Sequence, residues 1–319
     1  MPSLYFFSPS PHPPLHAMSH RTLSSLLTHA VCLTMLVWAV SCTPYDSPAD
    51  DTDIRRNDNA NPATTAYARM LEIPRLDSAH PFITHTTRYN GRETVTYSLE
   101  YDEALHHARW VAFEWYDVVN EKHWYRSNWY STSWGGDPFQ PDPALDDGVC
   151  PDRSYFTGSG GVRGHICASE DRVYSRDANE QTFYYSNMSP MHYDFNGGFW
   201  MDLEIAVRDT WAYKATFCDT LYVVKGGTIR EGEYRLSDNG RLPIPRHYWM
   251  ALLCRKSGTY KAIGFWVEHK PTTTGTIADC AVSIDQLERS TGIDFFCNLP
   301  DKIEDAVEAT CYPAVWGLK

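Results

Sequence analysis

The sequence predicts an α+β fold in which an antiparallel β-sheet core is flanked by helices. Short runs rich in aromatic and β-branched residues are separated by turn residues, a pattern typical of strands. A few segments instead repeat apolar residues every three or four positions, as amphipathic helices do. No glycine-rich phosphate loop stands between a strand and a helix, so a doubly wound nucleotide-binding sheet is not predicted.

The strand pattern is clearest in five segments. The predicted strands are residues 97–101, 110–113, 220–224, 248–253 and 262–267. The third is ended by the pair Gly226 and Gly227, and a Lys-Ser-Gly turn separates the last two. Because these runs follow one another with few helices between them, we expect antiparallel pairing.

Helix signals are fewer. Trp200, Leu203, Val207 and Trp211 share one helical face. Ser283 is placed to cap a helix that Gly292 ends, and Asp301 is expected to open a final helix in the same way. Residues 127–164 are expected to be mostly loop, with an aromatic-rich stretch at 124–134.

Length and charge exclude several classes of protein. The 319 residues include 43% hydrophobic residues, which excludes a wholly disordered chain, a collagen and a multi-span membrane protein. The formal net charge of −12 argues against a protein that coats nucleic acid by bulk charge, although it leaves room for a local basic site. Nothing in the sequence indicates an oligomeric state.

The N-terminus predicts export. Within residues 1–41, an upstream extension precedes a basic residue, Arg21, and an apolar run from Leu23 to Val40. The Ser41-Cys42 junction resembles a bacterial lipoprotein signal, in which Cys42 becomes the acylated lipid anchor. An ordinary signal peptide and a single membrane anchor are the alternatives. The expected location is the outer membrane or the cell surface, facing the periplasm or the outside.

Composition divides the rest of the chain in two. Residues 42–79 begin with a stretch rich in Pro, Asp and Asn and are expected to form a disordered acidic tether. Residues 80–319 are expected to form one domain. Seven cysteines follow the proposed anchor, an odd number that leaves at least one thiol unpaired within the chain, and their pairing stays open. They are Cys150, Cys167, Cys218, Cys254, Cys280, Cys297 and Cys311.

Three segments carry residues suited to catalysis. They are Arg163-Gly164-His165, the run Ser-Asn-Met-Ser-Pro at 186–190, and Phe-Asn-Gly-Gly-Phe-Trp at 195–200 with Glu204 after it. Each alone has an ordinary explanation: a structural histidine, turn-forming asparagines, or a solvated glutamate on a helix. All three segments occurring together, in this order, is less common than any one of them alone.

Together these segments resemble the DNA/RNA non-specific endonucleases, which are ββα-metal (His-Me finger) nucleases. The stretch at 158–172 reads GSGGVRGHICASEDR and is similar to the D-R-G-H block of that family. The blocks around Asn187, Asn196 and Glu204 match at similar intervals, and further similarity extends over about residues 85–310. The resemblance implies a ββα-metal active-site motif within the α+β fold.

The resemblance also implies roles for individual residues. His165 would be the general base that takes a proton from water. Asn196 would be the direct protein ligand to Mg²⁺, with Mn²⁺ as a substitute, and Glu204 would hold metal-bound water. Asn187 would help to place His165 or the phosphate, and Arg163 would contact phosphate or support the loop. The substrates would be DNA and RNA, cleaved with little sequence preference.

The chain departs from the family pattern at three points. Val162 stands where the family has Asp, and Met191 where it often has Gln. No arginine lies in residues 134–138, just before the Phe-Gln-Pro-Asp segment at 139–142, where the family carries a phosphate-binding arginine; Arg126 lies further upstream. Two other interpretations therefore stay open: a catalytically impaired surface lipoprotein that acts as a binding module, and an adhesive domain that uses the 124–134 loop.

Overall fold

One large β-sheet organises the described part of the chain, residues 55–130 and 136–319 of a computed structural model. The strands are β1 (Phe82–Tyr89), β2 (Arg92–Asp102), β3 (His107–Trp115), β4 (Val162–His165), β5 (Met188–Met191), β6 (Thr220–Gly227), β7 (Tyr234–Leu236), β8 (Pro243–Pro245), β9 (His247–Lys256), β10 (Thr259–Glu268) and β11 (Ala281–Val282). The sheet has the order β1-β2-β3-β6-β9-β10-β11, with every neighbouring pair antiparallel. The strands β4 and β5 form a separate pair, as do β7 and β8. The predicted α+β class and antiparallel core are confirmed.

The helices are short and lie between or after the strands. They are α1 (Arg153–Phe156), α2 (Arg176–Gln181), α3 (Tyr193–Asn196), α4 (Phe199–Ile205), α5 (Ile284–Thr291) and α6 (Asp301–Glu308). Helix α4 continues as a π-helical segment, Ala206–Ala212, so the apolar face predicted from Trp200 to Trp211 is buried along its whole length. The hydroxyl of Ser283 caps α5, and Gly292 ends it in the left-handed region at φ 72°, as predicted. Helix α6 has no side-chain cap, so the cap predicted at Asp301 is wrong.

The sheet is covered on both faces. Alternate residues of a strand point to opposite faces, so Val111 and Phe113 join one core with α4, while Trp110 and Ala112 join another with α5. All eight residues of β6 are buried. Because both faces of the sheet are buried, the central strands are almost continuously apolar.

The N-terminal segment, residues 55–79, packs against the domain instead of forming the disordered tether predicted for 42–79. Ile73 and Ala68 are fully buried, and the amide of Asn61 bonds the backbone of Pro74 and Leu76 at 2.9 Å each. The segment has enough apolar surface to offset the entropy of ordering, which the acidic and proline-rich composition at its start concealed. The domain therefore begins well before residue 80.

The predicted signal and anchor, residues 1–41 and Cys42, lie outside the described residues, as do residues 42–54 of the predicted tether. Within the described ranges, no helix is long and apolar enough to cross a membrane. Cys218 and Cys254 form a disulfide. The other described cysteines are free thiols: Cys150, Cys167, Cys280, Cys297 and Cys311.

Candidate active site

A strand–strand–helix unit brings the three predicted segments together. In the β4–β5 pair, His165 lies opposite Met188 and Gly164 opposite Ser189. Helices α3 and α4 follow β5 directly. Gly164 is required here because a side chain at this position would overlap Met191. Met191, which replaces the family's usual polar residue, is fully buried and fills that space.

His165 ends β4 with a buried imidazole. Its ring lies between two aromatic rings, with centroids 5.5 Å from Phe139 and 5.0 Å from Phe183. Its Nε2 has no hydrogen-bond partner within the described chain. Burial, followed by the positive charges of Arg126, Lys225 and Arg163, holds the pKa of His165 well below its usual range. The ring is therefore neutral near pH 7, as a general base must be.

Phe139, whose ring packs against His165, lines a cavity of about 410 Å³. Arg126, Arg153, Arg163 and Asn196 line it, together with Phe139 and residues of α1 and β4. Among the described residues that line it, none is acidic. Asn196 ends α3, is partly exposed, and makes no side-chain hydrogen bond to the described residues. The cavity thus offers cationic groups and one amide, a combination suited to a phosphate.

Arg163 is held in place by two contacts. Its Nη1 donates a hydrogen bond to Asp137 Oδ2 at 2.7 Å, and its guanidinium lies 3.7 Å from the centre of the Phe139 ring. The family has an aspartate at the position of Val162, directly before Arg163 in the sequence. In this chain, Asp137 supplies a carboxylate next to the Arg163 side chain instead. Val162 itself packs against the apolar core.

Arg126 lines the same cavity as Arg163, although it lies upstream of residues 134–138. It begins a 3₁₀ helix, Arg126–Tyr130, and lies 5.5 Å from the centre of the Phe183 ring, which in turn contacts His165. The described part of the aromatic loop therefore lies beside His165 rather than away from it. This placement disfavours the adhesive interpretation of that loop, whose residues 131–135 lie outside the described chain.

Glu204 belongs to a buried group of alternating charges. Its Oε1 accepts a hydrogen bond from Lys225 Nζ, which also lies 3.9 Å from Asp171 Oδ2. Asp171 Oδ1 in turn accepts from Arg208 at 2.8 Å. Burial raises the pKa of Glu204, although Lys225 and Arg208 oppose that rise. The four charges sum to zero, which offsets their desolvation.

Asn187 supports the chain next to His165 through its side-chain amide. Its amide is fully buried and accepts from the Cys167 backbone N–H at 2.8 Å while donating to the carbonyls of Cys167 and Thr182. With every polar atom of the amide engaged, the side chain has none left for phosphate. Asn187 therefore fixes the chain that follows His165, which is consistent with the predicted role of helping to place that histidine.

Two buried networks that the sequence did not reveal support the site. Asp142 Oδ2 bonds His85 Nε2 at 2.9 Å and accepts from the Ser186 hydroxyl, which fixes the turn before β5. His107 Nε2 lies 2.7 Å from Ser189 Oγ on β5, and Ser189 Oγ lies 2.6 Å from the Tyr248 hydroxyl. Burial lowers the pKa of His107 to about 4, so this histidine is neutral and structural.

The residues around Asn196 suit a hard divalent cation. Mg²⁺ prefers oxygen ligands and usually keeps several waters, so one amide oxygen in an open cavity is sufficient protein ligation. The Asn196 amide is not engaged elsewhere in the described chain, and the neighbouring cavity has room for a hydrated ion. One amide oxygen is thus available to a divalent cation that keeps most of its waters, while the arginines that line the same cavity add no ligand.

The chain is similar to known nucleases over most of its described length. The DNA/RNA non-specific endonuclease family matches residues 78–302. The chain is 27% identical over 227 residues to the mitochondrial nuclease EXOG of Xenopus laevis, covering 67% of this chain and 60% of that protein. It is 28% identical over 225 residues to a nuclease of Nostoc sp., covering 67% of this chain and 75% of that protein.

A chain in the crystal structure of the EndoG/EndoGI complex has a similar fold. The TM-score is 0.55 at 20% sequence identity, and the match covers 69% of this chain and 89% of that chain. The chain thus spans about 60% of the length of the Xenopus relative and most of the EndoG/EndoGI complex chain.

Proposed function

This chain belongs to the DNA/RNA non-specific endonuclease family, and from that premise we propose that it is a metal-dependent endonuclease that hydrolyses phosphodiester bonds in DNA and RNA. One observation carries the proposal: three arginines, Asn196 and Phe139 line one cavity, and Phe139 packs against the buried, neutral His165. Cationic groups would hold the phosphate, the amide would hold a cation, and the histidine would accept a proton.

His165 acts as the general base. A ring nitrogen takes a proton from water, the water oxygen bonds to phosphorus, and the bond from phosphorus to the 3′-oxygen breaks, with a proton returned to the leaving oxygen. The low pKa of His165 keeps the imidazole ready for this transfer near neutral pH. Phe139 and Phe183 fix the plane of the ring and exclude water from its faces.

Asn196 would hold the metal through its amide oxygen, with Mg²⁺ as the expected ion and Mn²⁺ as a substitute. A bound Mg²⁺ supplies Lewis-acid stabilisation of the charge that develops on the phosphate. Glu204, whose carboxylate is held by Lys225, would orient water next to that ion.

Arg126, Arg153 and Arg163 contact the sugar–phosphate backbone. Phosphate contacts position a nucleic acid without reading its bases, so cleavage is expected to show little sequence preference and to accept both DNA and RNA. The cavity concentrates positive charge on a chain whose net charge is −12, and a local field of this kind is enough for a turnover enzyme.

We also propose export, with Cys42 as a lipid anchor to the outer membrane or cell surface. The motif that supports it is the apolar run before Ser41-Cys42. The Cys218–Cys254 disulfide adds support, because disulfides persist mainly in oxidising compartments. Labelling cells with a radioactive fatty acid tests this proposal, since a Cys42→Ala variant should lose the label.

The test of activity uses the full-length chain with supercoiled plasmid and with RNA, in Mg²⁺ and in EDTA. We expect both substrates to be degraded only with metal, and a His165→Ala variant to be at least about 100-fold slower. A His80→Ala variant, which changes a histidine in the N-terminal part of the domain, serves as the matched control.

The same assay separates the alternatives. If well-folded protein binds DNA but cleaves neither substrate in Mg²⁺ or Mn²⁺, the binding-module interpretation replaces the enzyme. Cleavage that persists in His165→Ala contradicts the assignment of the base. An Asn196→Ala variant that keeps full activity at low Mg²⁺ contradicts the assignment of the ligand.

A further inference from the structure

A second cavity, of about 440 Å³, lies where the N-terminal segment meets helices α5 and α6. The described side chains that line it are eight carboxylates and one amide. They are Asp58, Asn59, Asp285, Glu288, Asp294, Asp301, Glu304, Asp305 and Glu308. None of these residues lines the candidate active site. The concentration of like charge needs a physical explanation, because carboxylates repel one another at short range.

Three of these carboxylates converge. Asp285, Glu288 and Glu308 each offer an oxygen, and these oxygens all lie within 4.8 Å of one another. Calcium binds oxygen at about 2.3–2.6 Å, so two ligands on one ion are separated by at most about 5 Å. The three oxygens are therefore close enough to share a single cation. Asp285 and Glu288 come from α5 and Glu308 from the last turn of α6.

Glu308 provides an independent sign that a ligand belongs here. Its side chain lines the cavity, the residue is only 5% exposed, and its Oε1 has no hydrogen-bond partner within the described chain. A buried polar oxygen without a partner is costly, so native structures usually supply one. Asn59 Oδ1 is also buried and unpartnered there, while its Nδ2 donates to Glu304 at 2.8 Å.

The cationic side chains nearby do not balance this charge. Arg56 pairs with Asp58 and lies 3.8 Å from Asp301, while Arg75 and Arg289 act on Asp294 and Glu288. Three arginines thus act on a cavity lined by eight carboxylates, and a divalent cation would reduce the excess of negative charge.

We propose that this cavity is a structural Ca²⁺ site that fastens the N-terminal segment to helices α5 and α6. Calcium is favoured over Mg²⁺ because it accepts six to eight carboxylate and amide oxygens in irregular geometry, whereas Mg²⁺ demands near-ideal octahedral ligation and keeps its waters. Asp58 and Asn59 belong to the N-terminal segment, so an ion here links the two ends of the described chain.

Calcium titration of the EDTA-treated full-length chain tests the proposal. Isothermal titration should show one Ca²⁺ bound per chain, and the melting temperature should rise with Ca²⁺ more than with the same concentration of Mg²⁺. A Glu288→Gln/Glu308→Gln variant should bind Ca²⁺ at least about 100-fold more weakly and lose the thermal shift. Because the double substitution removes two of the carboxylates that repel one another, this variant should fold in EDTA. Asp285→Asn, which removes one carboxylate, provides a second and milder variant.

Two controls separate this site from the proposed active site. Glu103→Gln removes one exposed carboxylate far along the chain and should leave Ca²⁺ binding unchanged. Asn196→Ala removes the proposed Mg²⁺ ligand and should also leave it unchanged. The proposal is overturned if the wild-type chain binds no Ca²⁺, if the Glu288/Glu308 variant binds it equally well, or if binding is lost in Asn196→Ala.

Discussion

Arg163 donates to Asp137 at 2.7 Å, so an acid 26 positions earlier in the chain holds the arginine that lies two residues before His165. Both side chains are partly exposed, at 27% and 31%. The pair fixes the guanidinium over the Phe139 ring at the edge of the arginine-lined cavity. Charge and stacking therefore both act on Arg163, and the two contributions can be separated by substitution.

Replacing Arg163 with lysine should lower kcat/KM on plasmid roughly tenfold, although the charge is kept. Lysine cannot stack on Phe139 or offer the planar fork that a phosphate accepts. Steady-state cleavage assays with both Arg163→Lys and Arg163→Ala measure this. Equal activity of the lysine variant and the wild-type protein would show that only charge matters here.

Replacing Arg126 with alanine should have two effects. Cleavage should fall roughly 10- to 100-fold, since a charged hydrogen bond to phosphate contributes about 1.5–3 kcal/mol. The pKa of His165 should also rise, because the Arg126 charge is the leading electrostatic cause, after burial, of its depression. The pH dependence of kcat/KM should therefore shift its acidic limb upward. Arg92→Ala, an exposed arginine on β2, is the control, and an unshifted limb would place Arg126 away from His165.

The sequence predicted the sheet because short runs of aromatic and β-branched residues suit buried strands. It also predicted His165, Asn196 and Glu204 through the resemblance of ordered motifs. It could not predict that Arg126 would line the same cavity as Arg163. That relation depends on the path of a loop, and loop paths leave no periodic signal.

The same limit applies to Asn187 and to the N-terminal segment. A motif identifies an asparagine, but only the fold shows that Cys167 and Thr182 use its whole amide. Residues 55–79 looked like a tether because their first residues are acidic, whereas Ile73 and its neighbours are buried by contacts distant in sequence. Contacts of this kind become visible only in three dimensions.

The acidic limb of the wild-type pH profile should lie below pH 6.5. Burial and neighbouring arginines lower the pKa of His165, and the active form of a base is the deprotonated one, so activity is lost only when the pH falls through that lowered pKa. Measuring kcat/KM from pH 4.5 to 9 at fixed ionic strength tests this. A midpoint at or above 6.5 would contradict it.

Lys225→Met should destabilise the fold by about 3–5 kcal/mol. The substitution leaves Glu204 and Asp171 buried with only Arg208 as a counter-charge, and an uncompensated buried charge is strongly destabilising. Adding Glu204→Gln should restore part of that stability, because it removes one of the stranded carboxylates, but it should not restore cleavage. Urea unfolding of the two single variants and the double variant gives the coupling free energy between Lys225 and Glu204. Strictly additive effects on the free energy of unfolding would show that these two residues are not energetically linked.

Removing the disulfide should also cost stability. Cys218 and Cys254 are 36 residues apart. Closing a loop of that length lowers the conformational entropy of the unfolded chain, which stabilises the folded state by about 3–4 kcal/mol. Both cysteines are buried, Cys218 just before β6 and Cys254 on β9, so the small apolar side chain of alanine suits both positions. We expect the Cys218→Ala/Cys254→Ala variant to unfold at a lower urea concentration than the oxidised wild-type protein. Dithiothreitol should not change the urea midpoint of the variant. It should lower the midpoint of the wild-type protein to that of the variant. Cys280→Ala, which removes a free thiol, controls for the loss of sulfur. A double variant as stable as the oxidised wild-type protein would mean that the disulfide does not restrain the unfolded chain.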